Sequence, residues 1–163
     1  MSAYIDPILE DWASNNLLSY GIILMILSSF KMLFHLATIG LNSYFRDVLR
    51  QKTCVPDSVS AFKAFIDTFT VFVSSLFAIM GSSVPVTSFI TLSLYLVMTP
   101  LQAVLQISIC MKWMLHDVKH PVYPLIETSL DLPMSIVQIL GFSVAIPLFY
   151  REYLIFKANY DIK

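Results

Sequence analysis

The chain has 163 residues, 57% of them hydrophobic and 13% charged, with a formal net charge of -1. A soluble domain of this length draws roughly a quarter of its residues from Asp, Glu, Lys and Arg, so the mean hydropathy of +0.74 and the long apolar blocks exclude that class and point to lipid. No basic excess exists to bind nucleic acid.

The N-terminus carries Asp6, Glu10 and Asp11 and no basic residue ahead of the first apolar block, a pattern unlike a secretory signal or an Arg-rich transit peptide. Four segments are then long enough, or nearly so, to cross about 30 Å of hydrocarbon. The first is expected over residues 17–41 and the second over 64–81. A breaker, Gly81-Ser82-Ser83-Val84-Pro85, separates the second from a third over 86–113. Pro121 and Pro124 end that helix, and Asp131 with Pro133 is expected to cap a fourth over 132–150, followed by an aromatic tail over 151–163. Pro100 and Pro147 fall inside spans, where kinks are tolerated if neighbours satisfy the freed carbonyl. The expected fold class is all-α: a polytopic membrane protein, one bundle of about four transmembrane helices.

Arg46, Arg50, Lys52 and Lys63 follow helix one, and Lys112 and Lys119 follow helix three, whereas the hairpin between helices two and three has no basic residue. The positive-inside rule puts these segments on the cytoplasmic or matrix side and both termini opposite. Tyr150, Tyr153, Phe156 and Tyr160 read as an interfacial belt along which the tail lies.

Polar residues within the spans recur at three- and four-residue steps, so each helix carries them on one stripe. Helix one has Gly21, Ser28, Lys31, His35, Thr38, Asn42 and Arg46. Helix two has Ser60, Lys63, Asp67, Thr70, Ser74, Ala78 and Gly81. Helix three has Ser88, Thr91, Tyr95, Thr99, Gln102, Gln106 and Cys110, and helix four the weaker series Asp131, Ser135, Gln138, Ala145 and Glu152. Such stripes pack membrane helices together, or they line a hydrophilic path. Lys31 needs a partner, because an unpaired charge at mid-bilayer costs at least about 2.5 kcal/mol. Depth counted from the expected helix ends selects Asp67, with His35 and Lys63 one turn nearer the basic side.

His35 and His116 are candidates for a pair of axial haem ligands, although His116 falls among Asp117 and Lys119 beyond the hydrocarbon. His116-Asp117-Val118-Lys119-His120 reads as a solvated cap, and Glu127 with Asp131 as a polar helix start. Cys54 and Cys110 form no CxxC pair. No HExxH, GxSxG or phosphate-cradling loop is present, so no enzyme, metal or cofactor is expected. No family is identified. The expectation is a non-catalytic accessory subunit of a multi-subunit membrane complex, such as a respiratory or ATP synthase assembly of the inner mitochondrial membrane. Its partners would be other membrane subunits and phospholipid, cardiolipin included, met by Arg46, Arg50, Lys52, Lys112, Lys119 and Arg151. The alternatives are a small channel or carrier with a path lined by helices one to three, and a b-haem or quinone anchor subunit.

Overall fold

A computed structural model describes residues 6–83 and 88–161. Four helices follow in chain order: α1 Pro7–Thr53, α2 Ser58–Ser83, α3 Ser88–Leu115 and α4 Val122–Asp161. All four are long and apolar enough to cross a membrane. The molecule is an all-α membrane bundle. Val84, Pro85 and Val86, where the breaker and the start of the third span are expected, lie outside the described residues, as do Lys163 and the Tyr160 side chain.

Each start has a local cause. Pro7 opens α1, and the Asp6 side chain accepts from the Ile8 amide at 3.0 Å. The helix closes on Cys54 in the left-handed region (φ 53°), after a break in helical geometry at Phe45. Asp57 then caps α2 through the Ser60 amide at 3.1 Å. α4 begins ten residues before the expected Leu132. Pro121 and Pro124 do not merely end α3; they open α4, where a missing N–H costs nothing, and the Leu125 amide bonds the Pro121 carbonyl at 2.9 Å. Pro133 and Pro147 therefore sit inside this helix, and Asp131 is an interior residue. The aromatic tail is no separate segment: α4 continues through Tyr153 and Phe156, and Phe89 of α3 stacks on both Phe149 and Phe156.

The helices pack in a ring in chain order, α1 against α2 and α4, and α3 against α4 and α2, with α2 and α3 the most sparsely packed neighbours. Large exposed side chains along the spans, such as Phe30, Leu33, Val97, Leu101 and Ile139, are apolar and face lipid. At one end the core is oil-like: Leu17, Ala78, Leu92, Tyr95, Ala145 and Leu148 form a closed cluster. Gly141 lets the Tyr95 hydroxyl lie where a Cβ would stand. Leu24, Val71 and Met134 form a second apolar layer. Beyond them, toward the basic end, the interior turns polar.

Candidate functional site: a polar interior opening at the basic end

Helix periodicity carries polar groups into this half from three helices. Lys31, His35, Thr38 and Asn42 of α1 are buried, as are Thr99, Gln102 and Gln106 of α3 and Glu127, Asp131, Ser135 and Gln138 of α4. They meet in layers. Gln138 Nε2 donates to Gln102 Oε1 at 3.2 Å, and one turn inward the Ser135 hydroxyl faces Gln106 Oε1 at 3.1 Å and the Asp131 carbonyl at 2.8 Å. Lys31 Nζ donates to Asp131 Oδ1. Deeper toward the basic end, Tyr123 Oη and His35 Nδ1 lie 3.3 Å apart, with Phe34 stacked on the Tyr123 ring. Trp113 Nε1 donates to Glu127 Oε2 at 2.7 Å, and Asn42 Nδ2 donates to the Pro56 carbonyl at 2.6 Å.

The expected pair Lys31–Asp67 is corrected by this geometry: Lys31 is bound by Asp131, one hundred residues along the chain. The reason is the start of α4. With the helix running from Val122, Asp131 enters the bilayer and presents its carboxylate to Lys31, both side chains being almost wholly buried. Asp67 is only half-buried and lines the same small cavity as Lys31. Thr70 returns its hydroxyl to the Asp67 backbone carbonyl at 2.7 Å, and Thr99 bonds the Tyr95 carbonyl at 2.6 Å. Ser74 is buried without a hydrogen bond. The α2 stripe thus divides: Ser74, Ala78 and Gly81 are buried, whereas Ser60 and Lys63 are exposed, and the core also receives Thr68 and Ser75 from a neighbouring face.

Two openings reach this interior. A crevice of about 350 Å³ between α2, α3 and the start of α4 is lined by Lys63, Asp67, Lys112, Trp113, Tyr123 and Glu127. It shares Ala64, Asp67, Leu105 and Ile109 with an inner cavity of about 20 Å³ that ends on Lys31 and Gln102. The apolar layers around Val71 and Leu92 close the route beyond. A second hollow of about 260 Å³ lies where α1 meets α2, with Asn42, Arg46, Arg50, Asp57 and Ser58 around it. Arg50 reaches Asp57 at 3.8 Å, and the hydrogen bonds from Ser60 hold the Asp57 carboxyl below the usual range.

Arg46, Arg50, Lys52, Lys112 and Lys119 are exposed at this end. Arg151 is not part of that set: it lies at the opposite end, bonded to Glu10 of α1 and Glu152 of α4, so its charge holds α1 to α4 rather than facing a partner. Of the two histidines considered as haem ligands, His116, just past α3, is exposed, whereas His35 is buried and faces Tyr123. No group of three metal-ligating side chains occurs among the described residues. The residues missed by sequence reasoning are Tyr123 and Trp113; Glu127 and Asp131, expected as a polar helix start, are buried inside α4 instead. No protein-family model, curated protein or solved structure matches this chain.

Proposed function

We propose that the chain is a non-catalytic accessory subunit of a multi-subunit membrane complex, plain in chemistry and specialised in contact. The observation that carries this reading is the division of surfaces. Polar groups gather inside the bundle, where several pair, one end is closed by packed hydrocarbon, and many large apolar side chains stand exposed along the spans. What it offers to neighbours is that wall and the basic end. Arg46 and Arg50 around the 260 Å³ hollow suit the phosphates of an anionic phospholipid, cardiolipin being the doubly charged case. The membrane of this proposal is the inner mitochondrial membrane, and the assembly a respiratory or ATP synthase complex.

Extraction of the native protein in mild detergent tests the reading. The chain should travel in a particle much larger than its own 18.5 kDa, with partners in fixed ratio, and in the inner-membrane fraction. A chain that runs alone sinks it. The crevice reaching Lys31 from one side favours a second reading, a small carrier that opens alternately. Solute flux through the purified chain in liposomes, lost in Asp67→Asn, would select it.

A further inference from the structure

We infer that the crevice between α2 and α3 is a binding site for an apolar organic cation, a protonated amine whose hydrocarbon rests on the crevice wall and whose ammonium is held by Asp67. The inference stands on the crevice itself and not on the subunit reading.

Five ionisable side chains face the crevice and its inner cavity: Lys31, Lys63, Asp67, Lys112 and Glu127. Their charges are separated by depth. Lys31 is already bound by Asp131, and Glu127 accepts from the Trp113 indole. Lys63 and Lys112 are exposed at the mouth, and Lys112 lies over the Trp113 ring with its ammonium 5.8 Å from the centroid. Long lysine stems at such a position carry their heads to water. Asp67 remains. Its carboxylate makes no hydrogen bond or ion pair with any described residue. Lys63 precedes it by four residues on the same helix, the weaker order for a pair of this spacing.

A carboxylate at this depth without a cation is a costly thing to keep in a membrane protein, and such groups mark ligand and ion pathways. The surroundings suit an amine with a hydrocarbon body. Leu105, Ile109 and Ala64 give apolar wall, Trp113 gives an aromatic face that attracts a cation, and the volume falls among those of small-molecule pockets. A second observation points the same way. Gln102 is 7% exposed and lines the inner cavity, yet its Nε2 has no acceptor. The cavity of about 20 Å³ is large enough for one water or one hydroxyl, so an amine carrying a nearby oxygen satisfies both Asp67 and Gln102.

Trp113 reports the site directly. In a Trp12→Phe background, in nanodiscs of zwitterionic lipid, the full chain is titrated with a bromoalkylammonium, the bromoalkanol of equal length and the corresponding bromoalkanoate, bromine quenching the indole. The ammonium should quench at roughly a tenfold lower concentration than the alcohol, or less, since a charge-assisted hydrogen bond separates them. In Asp67→Asn that advantage should vanish. In Lys63→Met, which removes a repelling charge at the mouth, the ammonium should quench at lower concentration still. Equal quenching by ammonium and alcohol, preference for the alkanoate, or an advantage that survives Asp67→Asn or weakens in Lys63→Met overturns the inference.

Discussion

Removing the carboxylate of Asp131 leaves Lys31 as a buried ammonium in a segment flanked by lipid-facing Phe30, Leu33 and Leu36. Lys31 and Arg46 are separated by about 22 Å of helix axis, so the ammonium cannot reach the basic end along α1, and its one described route toward water is the narrow cavity of about 20 Å³ behind the crevice. Loss of one partner of a buried pair costs about 3–5 kcal/mol, and insertion scales set a floor near 2.5 kcal/mol for the orphaned lysine. Asp131→Leu should therefore shift the folded-to-unfolded ratio by roughly a hundredfold or more. Lys31→Met should do comparable damage, because Asp131, wholly buried and with Oδ2 already unpartnered, then has no cation. The double variant should recover a large part of the loss, since an apolar pair of similar volume replaces the ionic one. Unfolding in mixed micelles, followed by Trp113 emission, measures all four corners of the cycle. A parallel cycle of Lys31→Met with Asp67→Leu, two residues that share a small cavity but no hydrogen bond, should show a clearly smaller coupling than the Lys31–Asp131 cycle. Coupling to Asp67 instead of Asp131, or to neither, would refute the packing described.

Gly141→Ala puts a methyl on the Tyr95 hydroxyl, whose ring is fixed in the core, and should destabilise by about 1–3 kcal/mol; Tyr95→Phe in the same background should restore most of it, which thermal melts would show. Asp57 caps α2 as a carboxylate whose pKa is lowered on folding, so its contribution is complete above the usual aspartate value of 3.8 and fades as pH falls below that. Protection of the first-turn amides of α2, taken relative to their intrinsic exchange rates, should fall on acidification, and Asp57→Asn, which caps without titrating, should remove that step. The purified protein should show no Soret absorbance, because His116 is exposed outside α3 while His35 faces Tyr123.

The stripes of α1, α3 and α4 were readable because oil cannot solvate a hydroxyl or an amide, and a period of 3.6 residues turns that preference into a pattern. Gly21, Ser28, Lys31, His35, Thr38 and Asn42 are all buried, and so is the α3 series from Ser88 to Cys110. Arg46 departs from its stripe: it follows the break in α1 at Phe45 and is exposed at the hollow beside the start of α2. The partner of Lys31 was not readable for a narrower reason. Depth counted from the ends of helices one and two selects Asp67, and a fourth helix beginning at Leu132 turns Asp131 into a cap instead of a core residue. Pro121 just before α4 and Pro124 in its first turn carried the correct start, but proline after a helix and proline opening one look alike without the neighbouring helix in view. The crevice had no signal at all, since an opening depends on how closely α2 approaches α3, which no single stripe encodes.

The pairing of α1 with α4 also bears on how the protein is made. Lys31 emerges from the ribosome one hundred residues ahead of Asp131, and at about 5–20 residues per second the delay is roughly 5–20 s. Throughout that interval the first helix holds an ammonium that lipid rejects. The partner that neutralises it in the folded bundle arrives only with the last segment. Truncation after α3 would remove Asp131 and leave the first helix with its ammonium unneutralised.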